Sequence, residues 1–250
     1  MGTMRVRAAV LTLLVGACGF DPAGQATDAD VADAAVEVPD ATRTDAAIAV
    51  PFCSTDPDLV ACYRFEGLPP VDESIYGNDP LASEVRLIPG VDGSALAFDD
   101  NSNALVPDSV SLDLTQITME LWLFVDTLPE NNGNARAGII DNNGQYSLYL
   151  TPTGTVRCQL ASSENTGLQV TVGMWTHIAC TYDGATIRLY QDGIAGPGVN
   201  NTNPMLTNGT DGMGLGQNSP SGEHLHGAVD SLRIWRVPRT PVQICEAAGC

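Results

Sequence analysis

Lysine is absent from this sequence: all 11 basic residues are arginine, and they face 30 Asp and Glu for a formal net charge of −19. The missing lysine reads as a coding bias, of the kind a GC-rich genome imposes, and not as chemistry. The shortage of positive charge has consequences. Nucleic-acid phosphates need a basic patch, which this balance does not supply. Electrostatic docking on anionic lipid needs clustered bases and is excluded on the same ground. Neutral glycans, cationic partners and calcium remain compatible. No two cysteines have C-x-x-C spacing, which argues against zinc. No G-x-S-x-G elbow is present. The apolar run from Ala8 to Val15 is too short to cross a bilayer, which takes ~20 apolar residues.

That run is nevertheless informative. Arg5 and Arg7 precede it and Gly16-Ala17-Cys18 follow it, the layout of a secretory signal. Leu14-Val15-Gly16-Ala17-Cys18 resembles a bacterial lipobox, in which Cys18 becomes the lipidated first residue of the mature chain. Residues 1–17 are therefore expected to be a lipoprotein signal peptide. Gly19, where an Asp would favour inner-membrane retention, points to the outer membrane or cell surface. Residues 18–50 then read as the lipidated cysteine and a disordered tether rich in Asp and Ala. From Gly19 to Val50 seven acidic residues face Arg43 alone. Such a segment buries too little apolar surface to offset its ordering entropy, and like charges keep it extended. The expected partner at this end is the membrane, through the lipid anchor.

Residues 51–250 are one domain's worth of chain. Here 8 Arg face 23 Asp and Glu. Six cysteines remain: Cys53, Cys62, Cys158, Cys180, Cys245 and Cys250. An even number in an exported chain reads as disulfides. Cys158 and Cys180 are expected to pair. Cys53 and Cys62 are expected to pair with Cys245 and Cys250, tying the terminal strands together, with a local Cys53–Cys62 bridge as the alternative. Short β-rich runs recur along the domain, the strongest being Gln116 to Val125. Turn pairs separate them, among them Asn143-Gly144, Asp183-Gly184, Asp192-Gly193 and Asn208-Gly209. This pattern predicts an antiparallel sandwich or barrel. One helix is expected, from about Thr240 to Ala247, with Thr240-Pro241 as its start and Gly249 as its stop.

Four stretches carry a more specific likeness. Met174 to Gly184 with Ile187 to Gly193, W-T-H-I-A-C-T-Y-D-G then I-R-L-Y-Q-D-G, resembles the central hairpin of laminin-G-like domains. These belong to the concanavalin A-like lectin/glucanase superfamily. Tyr63-Arg64-Phe65-Glu66 followed by Asp72 to Asn78 is similar to its opening strand and loop. Ile117 to Trp122 is similar to a core strand, and Gly227 to Trp235 to the closing strand. Together they cover about residues 59–240 in the family's order. The resemblance implies an all-β, antiparallel two-sheet jelly-roll sandwich, with first and last strands as neighbours.

The resemblance also frames the candidate sites. Glucanases of this superfamily carry clustered carboxylates on one strand, because retaining hydrolysis needs two of them ~5 Å apart. Here Glu120 and Asp126 are separated by an apolar run and Glu164 stands alone, so no catalytic residue is assigned. The expected role is a non-catalytic envelope lipoprotein displaying a module that binds carbohydrate or a surface protein. The alternatives are a structural or assembly protein of the envelope without a small ligand, and a glycan-active hydrolase. Trp122, Trp175 and Trp235 are expected in core packing, which leaves Tyr146, Tyr149 and Tyr190 as candidate sugar-stacking aromatics. His177 is expected to be structural. The ligand-binding candidates are Asp141, Asn142, Asn143 and Tyr146, a polar hairpin turn beside an aromatic. Domains of this superfamily often hold a calcium ion near the opening loop and closing strand. That implies a structural site built from Asp72, Asn78 and Asp230 with backbone carbonyls.

Overall fold

The computed structural model describes residues 51–129, 136–160, 163–201, 210–219 and 222–250. The signal peptide, Cys18 and the tether lie outside the described residues. In chain order the elements are β1 (Leu59–Tyr63), β2 (Leu81–Ser83), β3 (Arg86–Pro89), β4 (Ser94–Phe98), β5 (Asn103–Val106), β6 (Ile117–Thr127), β7 (Ala137–Asn142) and β8 (Tyr146–Leu150). They continue with β9 (Thr155–Leu160), β10 (Ser163–Gln169), β11 (Trp175–Tyr182), β12 (Thr186–Gln191), β13 (Ile194–Asn200), β14 (Met213–Leu215), β15 (His226–Trp235) and the helix α1 (Pro241–Ala248).

The strands form two antiparallel sheets. Sheet A runs β13-β12-β11-β6-β15-β4-β3, with β1 also paired to β15. Sheet B runs β10-β9-β8-β7-β14-β5-β2. The first and last strands are neighbours, as the family resemblance implies. Strand β6 shows why the sheets stack. Its alternate residues Ile117, Met119, Leu121, Leu123 and Val125 are fully buried in the main core, because side chains alternate faces along a strand. They meet Ile139, Leu148, Leu150, Val156 and Leu160 from sheet B in the same cluster.

The intervening residues of β6 point the other way, and this corrects the expectation for tryptophan. Trp122 pairs with His177 on one side and Asp230 on the other, on the face opposite Leu121 and Leu123. Trp122 and Trp175 are half-buried on the outer face of sheet A. Trp175 tilts against Phe124 with ring centroids 5.4 Å apart, and Trp122 packs edge-on to His177 at 5.3 Å. Trp235 is buried, but beneath Phe52 of the N-terminal segment and not between the sheets. His177 is structural as expected. Burial pushes its imidazole down to about pKa 4, with the nearby Glu120 carboxylate opposing the shift.

Helix α1 starts as the sequence indicates. Thr240 and Gln243 form a reciprocal capping box, Pro241 occupies the first turn, and Gly249 closes the helix at φ 81°. Strand β13 was not expected, since Pro197 and its glycines break the pattern. It lies at the edge of sheet A, where a missing N–H is tolerated.

Three disulfides are present: Cys53–Cys62, Cys158–Cys180 and Cys245–Cys250. The central bridge is the expected one and joins β9 of sheet B to β11 of sheet A through the core. The terminal pairing differs from the expectation, and the local Cys53–Cys62 alternative is what forms. Sheet order gives the reason. Cys245 lies on α1, whose Ile244 packs on Ala179 of β11 and Tyr190 of β12. Cys62 lies on β1, and β6 and β15 intervene between β11 and β1. At ~4.8 Å per strand spacing, that exceeds the ~7 Å Cα limit of a disulfide.

Removal of the central bridge has a calculable effect. Its loop spans a sequence separation of 22, for which loop-closure entropy gives about 3 kcal/mol. Cys158→Ala/Cys180→Ala is expected to lower the unfolding free energy by that amount in urea denaturation. An unchanged midpoint would show that the bridge places no constraint on the unfolded chain.

Candidate ligand cleft

The hairpin β7–β8 places the polar stretch singled out in the sequence. Asp141 sits opposite Ser147, and Asn142 opposite Tyr146. The pairing parity splits the four candidates between two faces. Asn142 and Tyr146 point inward. Tyr146 is fully buried in the core and donates its hydroxyl to the Leu112 carbonyl at 3.2 Å, while Asn142 Nδ2 donates to the same carbonyl at 3.4 Å. Asp141 points outward, and Asn143 is exposed in the turn. Tyr190 is buried under α1. Of the three tyrosines only Tyr149 faces outward beside the hairpin.

On this outer face of sheet B lies a cleft of about 240 Å³. Arg136, Asn143, Gln145, Ser147, Tyr149 and Asn218 line it, together with Gly144 and Gln159. Its far wall is a loop that lies flat on the sheet. A Cβ on Gly138 would come within 2.3 Å of the Gln217 carbonyl, and one on Gly214 within 2.7 Å of the same oxygen. Only glycine at these strand positions admits the loop. Backbone bonds then fix it: Gly216 N donates to Ile139 O at 3.0 Å, and Asn218 N to Gly222 O at 2.8 Å. Ser219 N donates to Asp141 Oδ2 at 2.8 Å.

Asp141 is thus a positioning carboxylate. It is 1 % exposed and also accepts the Ser147 hydroxyl at 2.6 Å. Arg136 forms the side wall. Its guanidinium lies 4.1 Å above the Tyr149 ring, and its Nε pairs with Glu223 at 2.5 Å. Burial pushes the Tyr149 hydroxyl up to about pKa 12, so it stays protonated and donates to Asn218 Oδ1 at 3.4 Å. Preformed polar groups converging from the β7–β8 turn, β8, β9 and a docked loop can orient a small polar ligand.

Three larger cavities are less suited to that task. An apolar one of about 270 Å³ lies beside Leu168, Ile194 and Ala195, and two are larger still. One, of about 620 Å³, runs along edge strand β2 and is lined largely by Pro69, Pro70, Pro80, Val71 and Leu81, which offer few polar anchors. The other, of about 650 Å³, lies between the N-terminal segment and α1. Its Arg233 and Arg239 are both committed to Glu120, at 2.8 and 2.5 Å.

The calcium candidates separate. Asp72 and Asn78 meet in the opening loop, where Asn78 N donates to Asp72 Oδ2 at 2.8 Å. Asp230 serves a different loop and accepts from Val91 N at 2.7 Å and Asp92 N at 3.0 Å. Among the described residues no three His, Cys, Asp or Glu side chains gather in a metal-holding group.

Arg136, Ser147, Gln159 and Asn218 were not singled out in the sequence. Parity holds the signal for two of them. Core residues Leu148 and Leu150 put Ser147 and Tyr149 outward, and the inward Cys158 puts Gln159 outward. Asn218 and Arg136 reach the site only through tertiary docking, for which no local signal exists.

Comparison with known proteins agrees with this architecture. A laminin-G family model, described as concanavalin A-like lectin/glucanases superfamily, matches residues 98–245. No curated protein matches the chain. Among solved structures, domain 4 of AbnA, a GH43 extracellular arabinanase from Geobacillus stearothermophilus in complex with arabinotriose, is similar at TM-score 0.64 and 20 % identity. That match covers 76 % of this chain and 98 % of the other. The binding domain of Paraclostridial Mosquitocidal Protein 1 gives TM-score 0.61 at 15 % identity, covering 76 % and 52 %. The botulinum neurotoxin serotype G binding domain gives 0.62 at 12 %, covering 76 % and 50 %. The chain spans about half the length of these two toxin domains. At these identities the likeness is one of fold.

Proposed function

The chain belongs to the concanavalin A-like lectin/glucanases superfamily, and from that premise we propose that it is a non-catalytic carbohydrate-binding module. We further propose that a lipid on Cys18 holds it at the cell surface. The observation that carries the binding reading is the outer-face cleft of sheet B. Amide, hydroxyl and guanidinium groups from separate elements converge there on a space sized for a small ligand. The complex of the arabinanase domain with arabinotriose supports the ligand class. The lining residues support binding over hydrolysis: none is a carboxylate, whereas glycoside hydrolysis uses a pair of them across the scissile bond. Three disulfides fit an exported chain. Among the described residues no helix is long and apolar enough to cross a membrane.

The test is a glycan array with the purified protein, followed by calorimetric titration of the best hit. Asn143 is exposed in the turn, so Asn143→Ala should leave the melting temperature unchanged. It is expected to weaken binding about tenfold, the loss of one well-placed hydrogen bond of about 1.4 kcal/mol. A protein that binds nothing on the array, or binds with Asn143→Ala at full affinity, would refute the assignment.

A further inference from the structure

The cleft's hydrogen-bond polarity restricts what enters it. Two of its amides are held by carboxylates: Asn143 Nδ2 donates to Asp211 Oδ2 at 2.6 Å, and Gln145 Nε2 to Asp113 Oδ1 at 2.8 Å. A carboxylate only accepts, so each amide must turn its nitrogen toward the acid, which leaves its oxygen as the free end. Ser147 is set the same way, since its proton goes to Asp141 Oδ1 and its lone pairs remain. The clearest case is Gln145. The residue is 2 % exposed, and its Oε1 is a buried acceptor without a hydrogen-bond partner. A buried acceptor left unpaired costs about 1–3 kcal/mol, so a ligand hydroxyl that reaches it is favoured. The donors on the same rim are the Asn218 and Gln159 amides and the Arg136 guanidinium, whose charge is offset by Glu223.

The charges behind the lining point the same way. Asp113, Asp141 and Asp211 each stand one bond from a lining side chain. With Glu223 they outnumber Arg136, in a domain where 8 Arg face 23 acids. We infer that the cleft selects an uncharged, hydroxyl-donating sugar residue and discriminates against uronate, sialate or sulfated residues. This rests on the carbohydrate-binding reading above and adds the ligand's charge and donor character. The carboxylates repel an anionic ligand, and the fixed amide oxygens offer it no donor. A neutral sugar presents hydroxyls to Gln145 Oε1 and the Asn143 carbonyl, while a hydroxyl oxygen accepts from Asn218.

The experiment is calorimetric titration with two trisaccharides of similar size, neutral arabinotriose and anionic trigalacturonate, at low and at high salt. Arabinotriose is expected to bind at least about tenfold more tightly at low salt. The gap should narrow as salt screens the repulsion. Asp211→Asn is the diagnostic variant, because Asp211 is exposed and its loss frees the Asn143 amide to rotate. It should reduce the discrimination toward parity without changing the melting temperature. Equal or tighter binding of trigalacturonate by wild type would overturn the inference while leaving carbohydrate binding intact. Discrimination unchanged in Asp211→Asn would also overturn it, since the amide would not be set by that acid. Binding of neither probe, nor of any array glycan, would instead defeat the carbohydrate reading itself.

Discussion

Glu120→Ala is expected to lower the unfolding free energy by about 4 kcal/mol, because it strands buried cations. Glu120 is 1 % exposed on the outer face of sheet A. Its Oε1 lies 2.8 Å from Arg233 Nε and 2.5 Å from Arg239 Nη1, and accepts the Trp235 indole N–H at 2.9 Å. The side chains of Arg233 and Arg239 are only 11 % and 12 % exposed. Burial depresses the Arg233 pKa and the Glu120 charge opposes that shift, so the pair is mutually dependent. Removing the acid leaves two desolvated guanidiniums without a counter-charge. The effect extends to both ends of the domain, since Arg233 lies 4.2 Å over the Phe52 ring and Arg239 N donates to Thr118 Oγ1 at 2.8 Å. Glu120→Gln keeps an acceptor and should cost about half as much. The combined Glu120→Met/Arg233→Met/Arg239→Met variant should recover most of the loss, because replacing a whole buried ionic set by apolar residues is close to neutral. Urea midpoints at constant m-value measure all three. A Glu120→Ala loss under 1 kcal/mol would mean that water already reaches the cluster.

Period-two patterning made the sandwich legible. In β6 it puts Leu121 and Leu123 on one face and Trp122 and Phe124 on the other, against the expectation that Trp122 packs in the core. It did not say that the second set would be half-covered, because that depends on neighbours across sheet A: Phe124 packs with Trp175, Ile88 and Ala228, and Trp122 with His177. The Cys158–Cys180 bridge was readable because both residues sit inside strand patterns close in sequence. The terminal bridges were not, because they depend on the lateral order of β11, β6, β15 and β1, which pairing alone determines. The cleft shows the same division. Its hairpin, Asp141 to Gly144, announces itself as a turn. Whether Tyr146 or Tyr149 faces the ligand turns on a register of one residue, and the buried Leu148 settles it. The docked loop at Gln217 and Asn218 is visible only as glycines at positions 138 and 214, which a strand has no local reason to contain.

In the opening loop, Asp72→Ala is expected to cost about 4 kcal/mol. Asp72 is 8 % exposed and accepts four bonds. Oδ1 takes Cys62 N at 2.8 Å and Ser74 N at 2.9 Å. Oδ2 takes Ser74 Oγ at 2.7 Å and Asn78 N at 2.8 Å. Two of these donors, at Cys62 and Asn78, are buried, and each buried N–H left unpaired costs about 1–3 kcal/mol. The carboxylate staples the loop to β1, and Asn78 continues the staple by donating Nδ2 to Val60 O at 2.8 Å and accepting the Tyr63 hydroxyl on its carbonyl at 2.7 Å. Asp72→Asn should recover about half the loss, because one amide oxygen still accepts while the new NH₂ meets a donor. Melting curves in chelator and in millimolar calcium separate an amide-held loop from an ion-held one. If these four protein donors alone satisfy Asp72, wild type melts at one temperature in both. A calcium-dependent rise in wild type that Asp72→Ala abolishes would instead place the ion on this carboxylate, since a ligand confined to the folded state stabilises it by mass action.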